Sequence, residues 1–318
     1  MNCENRPIED QWVVMFPGQG SQFVGMGKDF YLQSQSCREI YDLVNEIAQK
    51  DIAKLCFNGS ISKLSNTDNL QISITATNLA TAQHLFSNTN IKPSVVLGHS
   101  VGEYSALQVA GSLTTEGALK LAFERGSLMQ REAKLKKGQM YAIKNVLPED
   151  LNNILNSMTE RNSVVIANDN SKSQQVISGE KSAMSNILTY CFEHNIEAIK
   201  LPVSGAWHSM LMQGCVEEFH QSLMTIEMQK PNITYINNMT AQSCSNVAEI
   251  QKNLVAHITG MVRWRESIEG LINQGHRMFI EVGPKKVLSR LLESIAGDTA
   301  GFTIEQVETI QDVERLGG

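Results

Sequence analysis

Along the chain, short apolar runs alternate with longer stretches whose apolar residues recur at helical spacing. The run WVVMF at 12–16 has strand length and ends in the glycine-rich turn PGQGSQ, after which a helical stretch begins. Strand, tight turn and helix in that order open an α/β unit. SITATNLATAQHLFS at 73–87 predicts a helix rich in Ala and Leu, and PSVVLGHS at 93–100 predicts a strand running into a second turn. GEYSALQVAGSL has helical spacing at Tyr104, Leu107 and Val109, and TEGALKLAFERGSLMQREA at 115–133 predicts a further helix. This alternation points to a largely parallel sheet covered on both faces. The middle of the chain reads differently. Strands are expected at 139–144, 164–168, 174–179 and 196–203, with helices at 148–158 and 180–194 and a turn at NDNSKS. That order, βαββαβ, is the ferredoxin-like unit, here a small subdomain inserted in the larger one. Helix then returns at MLMQGCVEEFHQSLMTI, a strand at ITYINN, helices near 247–258 and 264–274, and a last strand at RMFIEVG. The expected division is a large domain from 10–133 and 205–295, a small subdomain at 134–204, and a peripheral tail at 296–318.

The 318 residues allow one large domain, or a large one carrying a small one. With 42% hydrophobic and 19% charged residues, such a chain can bury a substantial core without disulfides or metals. The formal net charge of −6 argues against a general nucleic-acid surface. Cys3, Cys37, Cys56, Cys191, Cys215 and Cys244 are scattered, with no C-x-x-C pair and no His partners at metal spacing. Reduced thiols and no metal site are expected. No apolar run reaches the roughly 20 residues of a membrane span. The N-terminus MNCENRPIEDQ lacks the basic and apolar regions of a secretion signal, so a cytoplasmic location is expected.

The pentapeptide GHSVG at 98–102 is, taken alone, only a turn. Between a β-branched strand and a helix it has the context of a nucleophile elbow. Its glycines permit the tight turn, the Ser100 hydroxyl stands above the strand end, and the helix N-terminus offers amide N–H groups to a developing oxyanion. A serine nucleophile needs a base, usually histidine. His99 would point away from its neighbour, His84, His194 and His220 fall within helices or at their ends, and His276 sits in a turn. His208 lies in PVSGAWHSMLM, a loop of small residues leading back to the large domain where a cleft would form. By position it is either the base or an ordinary loop histidine. FPGQGSQ at 16–22 lacks the Lys-Ser/Thr of a phosphate loop and the third glycine of a dinucleotide fingerprint. It is either a plain tight turn or a source of amides beside Ser100, at the strand ends where such sheets bind ligands. Arg125, in LKLAFERGSLM, is either solvated and paired to Glu124 or Glu132, or turned to the cleft as a partner for a substrate carboxylate.

Together FPGQGSQ, GHSVGEYSAL, the ERGSLMQ helix, IANDNS with QQVISG, PVSGAWHS, VRWRESI and EVGPKKVL resemble, in order from Trp12 to Leu292, the malonyl-CoA:acyl carrier protein transacylases of fatty-acid synthesis. The resemblance implies an α/β-hydrolase-like core with a ferredoxin-like small subdomain. It implies ping-pong acyl transfer through Ser100, with His208 as general base and the backbone N–H groups of Gln19 and Val101 as the oxyanion hole. It pairs Arg125 with the malonyl carboxylate and places Gln19, Met129, Asn168 and Trp207 among the substrate contacts. A backbone carbonyl orients the base in this family, and aligning VRW at 262–264 puts that carbonyl on His257, where Gln is usual. Trp207 stands where Phe or Ser is usual, and Lys285 where Gly is common. The implied partners are malonyl-CoA, as a substrate, and acyl carrier protein. No resident cofactor is implied, and the family is usually monomeric. Acyl carrier protein is strongly acidic, so an acidic chain needs a local basic patch to dock it. Lys134, Lys136, Lys137, Lys285, Lys286 and Arg290 are the candidates. A stand-alone polyketide-synthase acyltransferase or an acyl hydrolase shares these motifs. A serine esterase would want an acidic triad member, and a dead binding module would not keep Ser100, His208 and Arg125 together.

Overall fold

The structure, a computed structural model, describes residues 11–317 except 159, 161 and 162. Cys3 and the acidic N-terminal segment lie outside the described residues. The apolar run at the start becomes β1 (Trp12–Phe16), and its residues 13 to 16 are fully buried. A strand that apolar must be covered on both faces, and the residue alternation shows how. Val14 and Phe16 join one core, Val13 and Met15 a second. Full burial of a side chain such as Phe16 is worth roughly 2 kcal/mol.

The helical stretch after β1 resolves into α1 (Lys28–Gln33), α2 (Gln35–Ala48), α3 (Ile52–Asn58), α4 (Ile61–Leu64) and the long α5 (Thr67–Asn88). Residues 70 to 82 of α5 are buried on every side. Its threonines tolerate this because their hydroxyls donate one turn back, Thr75 to the Gln71 carbonyl, Thr77 to Ser73 and Thr81 to Thr77, at 2.8–2.9 Å. Then come β2 (Pro93–Gly98), α6 (Gly102–Val109) and α7 (Thr115–Leu135). The Thr114 hydroxyl caps α7 by accepting from the Gly117 N–H at 3.0 Å.

The small subdomain follows as β3 (Gly138–Lys144), α8 (Pro148–Met158), β4 (Val164–Ser171), β5 (Gln174–Glu180), α9 (Lys181–Glu193) and β6 (Ala198–Lys200). Its sheet has the antiparallel order β4-β5-β3-β6, the ferredoxin-like arrangement expected. Leu151, Leu155, Met184 and Ile187 cover one face. From the other face Met140, Ala142, Ala167 and Val176 join the large core. Two spans differ from expectation. NDNS continues β4 rather than turning, because the large domain satisfies it: Val262 exchanges backbone bonds with Ala167 and Asp169 at 2.9–3.0 Å, and Arg265 grips the buried Asp169 carboxylate at 2.8–3.1 Å. β6 is shorter than 196–203 because Pro202 cannot extend the ladder.

The chain returns through a 3-10 turn (Met210–Cys215), α10 (Val216–Met224), β7 (Thr234–Tyr235), α11 (Val247–Ala256), α12 (Trp264–Asn273), β8 (Met278–Val282) and α13 (Leu288–Ala296). The expected peripheral tail at 296–318 is, over its described residues to 317, part of the large domain. These residues form β9 (Thr303–Val307), which pairs in parallel with all of β8, and α14 (Ile310–Gly317), which buries Ile310 and Val313. The main sheet is parallel, in the order β7-β2-β1-β8-β9. One face is covered by α2, α5, α6 and α7 and the other by α12 and α13. Among the described residues no helix is long and apolar enough to cross a membrane.

Candidate active site

β2 and β1 end side by side, and both glycine-rich turns leave from that edge. In the GHSVG turn there is no room for more than glycine at either end. A Cβ on Gly98 would meet the Gly102 carbonyl at 2.1 Å, and one on Gly102 would meet the Phe16 carbonyl at 2.2 Å. Ser100 takes a left-handed φ of 53°, the strained geometry of an elbow. Among the described residues, neither the Val101 N–H at the turn nor the Gln19 N–H in the adjacent turn donates to another backbone group. These are the two N–H groups that the resemblance assigns to the oxyanion.

His208 also has a left-handed φ, of 57°, and is 3% exposed. Its Nε2 lies 2.8 Å from the Ser100 Oγ. Its Nδ1 faces the carbonyls of His257 at 2.9 Å and of Gly260 at 3.0 Å. Two acceptors at Nδ1 hold the proton there and leave Nε2 as the acceptor for the serine hydroxyl. Burial pushes the His208 affinity for a proton well below its ordinary value, helped by the neighbouring His257 and Arg125. The ring is therefore neutral near pH 7 and able to take a proton from Ser100. His99 points the other way, its Nε2 2.9 Å from the Asn170 Oδ1. Burial pushes it down to about 4.

Arg125, on the inner face of α7, is 2% exposed. It is not the solvated residue of the first alternative. Glu132 pairs with Arg131 and Lys136, and Glu124 accepts from Ser222. The guanidinium instead donates to the Gln71 Oε1 at 2.8 Å and to the Ser100 Oγ at 3.3 Å. Among the described residues this buried cation donates to neutral oxygens alone, the setting that favours an added anion.

These groups line a cleft of about 460 Å³ between the two sheets, together with Gln19, Met129, Asn168 and Trp207, all four expected there, and Gln71, which was not. The cleft shares Gln19, His99, Asn168, Leu201 and Val203 with a groove of about 930 Å³ that reaches Leu288 and Leu291 on α13. Sequence reasoning also missed Asn238, whose side chain accepts from the Ser100 N–H at 2.9 Å and donates to the Gly98 carbonyl at 2.7 Å. It missed Glu103, a fully buried carboxylate behind the site. Gln71 precedes the helix expected at 73–87 and stands among other polar residues of α5, such as Asn69, Ser73 and Asn78, so it gave no signal of its own, and neither did Asn238, which follows a two-residue strand. Trp207 is 5% exposed and packs over Gly205, where a Cβ would meet its ring at 2.5 Å.

A serine on a strained elbow, a neutral imidazole on its hydroxyl and a buried cation beside it can take an acyl group from one carrier and hold it for another. The fold and the cleft thus define an α/β acyltransferase. Residues 13–311 match the acyl transferase domain family, and the chain belongs to that family. It is 34% identical over 299 residues to the malonyl CoA-acyl carrier protein transacylase of Bacillus subtilis (strain 168), covering 93% of this chain and 94% of that one. Its structure is similar to an acyl carrier protein S-malonyltransferase from Vibrio cholerae, with a TM-score of 0.90, 31% identity and 96% and 99% of the two chains covered. It is also similar to a malonyl-transacylase solved in complex with its type II PKS acyl-carrier protein, with a TM-score of 0.90 at 28% identity over 96% and 98%.

Proposed function

We propose that this acyltransferase moves the malonyl group of malonyl-CoA to the phosphopantetheine thiol of acyl carrier protein, through a malonyl ester on Ser100, in fatty-acid synthesis. One observation carries the reading: the Ser100 Oγ lies 2.8 Å from a neutral imidazole and 3.3 Å from a buried guanidinium. The nucleophile and a site for a carboxylate thus share one cleft, which suits a short diacid thioester.

In the first half-reaction His208 takes the Ser100 proton as Oγ bonds to the thioester carbonyl carbon. The carbonyl oxygen becomes an oxyanion received by the Gln19 and Val101 N–H groups. The oxyanion collapses, the carbon–sulfur bond breaks, and the proton on His208 Nε2 goes to the coenzyme A sulfur. In the second half-reaction His208 takes the proton of the carrier thiol, the sulfur attacks the ester, and the proton returns to Ser100. Arg125 pairs with the distal carboxylate throughout, while Met129, Asn168 and Trp207 shape the rest of the cleft. The carbonyl of His257 keeps the imidazole in its tautomer.

The groove bounded by Leu288 and Leu291 is the proposed entry for the pantetheine arm. Lys285, Lys286 and Arg290 are exposed around the start of α13 beside that groove, which favours them over Lys134, Lys136 and Lys137 as the docking patch. The enzyme is proposed to act in the cytoplasm as a monomer, with no resident cofactor or metal.

The test is intact mass after brief exposure to malonyl-CoA, beside acetyl-CoA, for the native protein and Ser100→Ala. A malonyl adduct is expected on the native protein alone, with discharge onto holo acyl carrier protein. Loss of the adduct to water at the same rate with and without carrier would make the protein an acyl hydrolase. No adduct on folded protein would remove the proposed donor.

A further inference from the structure

The acidic partner that a serine–histidine pair commonly carries does not touch His208, whose Nδ1 faces two carbonyls. A buried carboxylate nevertheless stands behind both members of the pair. Glu103, three residues past Ser100 at the start of α6, is 1% exposed. Its Oε1 accepts from the Tyr235 hydroxyl at 2.6 Å and from the Asn238 N–H at 2.8 Å. Asn238 in turn holds the Ser100 N–H and the Gly98 carbonyl. On its other side, the Glu103 Oε2 lies 2.7 Å from the Nδ1 of His257, the residue whose carbonyl meets the base. His257 is 3% exposed, and its ring lies 4.7 Å from the ring of His208 at 34°. One carboxylate is thus tied through Asn238 to the nucleophile and through His257 to the base.

We propose that Glu103 and the side chain of His257 are positioning residues, a paired carboxyl group and imidazole that keep the nucleophile turn and the base carbonyl in register and set the electrostatic surroundings of the base. A carboxylate this buried persists only where donors surround it, and Tyr235, Asn238 and His257 surround this one. After burial, the neighbouring His257 is the largest cause of the lowered proton affinity of His208. His208 is faced by His257 from the end of α11, by Arg125 from α7 and by His99 from the elbow; His257 is faced by Glu103, whose other oxygen carries Tyr235. The family's usual Gln at this position would supply the same carbonyl without the imidazole. The inference rests on Ser100 and His208 as the reacting pair in the proposed function, and not on the identity of the acyl donor.

The test uses a fluorophosphonate, which reacts with an activated serine whatever the natural donor. Its rate of attachment to Ser100 is followed by intact mass from about pH 4 to about pH 9, a range spanning the titration of histidine. His257→Gln keeps the carbonyl and a donor for Glu103 but removes the imidazole. His257→Leu removes imidazole and donor together. For His257→Gln the rate is expected to fall away at a pH about one unit higher than in the native protein. His257→Leu is expected to lose about 10²-fold at the plateau, the scale of a misplaced reacting group. A merely structural role for His257 would slow both variants without moving the acid limb. An acid limb for His257→Gln at the native position overturns the influence of the imidazole on the base, and a native plateau for His257→Leu overturns the positioning. If His257→Leu does not fold, the His257→Gln profile decides alone. If native Ser100 takes the phosphonate but no malonyl from malonyl-CoA, the proposed function falls and this inference is still read from the same profiles.

Discussion

Arg125 is where a single side chain sets selectivity. Its guanidinium is buried, and its two contacts, Gln71 and Ser100, are neutral. A substrate without a carboxylate leaves that charge unanswered, so malonyl is favoured by what its absence would cost. Arg125→Ala should lower the rate of malonyl loading from malonyl-CoA by at least about 10²-fold and leave acetyl loading at or above the native level. Parallel intact-mass time courses with the two donors measure this. An equal loss for both donors would mean that Arg125 acts on the serine oxygen, 3.3 Å away, and not on the substrate carboxylate. Sequence pattern left Arg125 open between a solvated pair and a cleft residue because α7 carries Glu124 and Glu132 within a turn or two. The resemblance implies the cleft, and the packing of α5 against α7, which brings Gln71 to the guanidinium, is what turns it there.

At the scale of elements, the loop between β8 and α13 shows how a motif is built from small demands. Glu281, buried at the end of β8, accepts from the N–H groups of Val287, Leu288 and Ser289 at 2.8–3.0 Å and so caps α13 from outside the helix. Lys285 between them has a φ of 62°, which explains why glycine is common there. Its N–H donates to Glu308 on the far side of β9 at 2.8 Å, a bond any residue can make. Lys285→Gly should therefore raise stability by about 1 kcal/mol, read as a higher urea midpoint with an unchanged slope. A lower midpoint would show that the lysine side chain contributes more than its backbone costs. The same scale holds the clearest departures from the sequence pattern. NDNS reads as a turn by composition, yet becomes strand because Val262 and Arg265 satisfy it. TIEQV reads as tail because nothing nearby in the chain needs it, yet β8 does.

For the whole molecule, burying histidines in their neutral form ties stability to pH. His99 is held at about 4 and His208 well below its ordinary value, both chiefly by burial. Above about pH 6.5 the unfolded chain also keeps them neutral, and they cost nothing. Below that, the unfolded chain takes up protons that the folded one refuses, so stability falls as the pH drops toward about 4 and, for His208, beyond. His99 alone accounts for about 3 kcal/mol across this window. Urea midpoints should fall between about pH 7 and about pH 5, and those of His99→Asn should fall less. Parallel slopes for the two proteins would refute a buried, neutral His99.

Periodicity alone determined that strands and helices alternate, that a βαββαβ unit interrupts them, and that Ser100 sits between a strand and a helix, because each of these depends on neighbours within a few residues. The resemblance carried by the motifs added His208, the His257 carbonyl and the cleft residues Gln19, Met129, Asn168 and Trp207. What only the tertiary structure decided lies between segments far apart in the chain. Asn238 holds the serine turn from 138 residues away, Glu103 meets His257, and β9 closes the sheet edge. These partners have no local signature, since a buried polar group is satisfied by whatever donor the fold carries to it, and no spacing along the chain encodes that meeting.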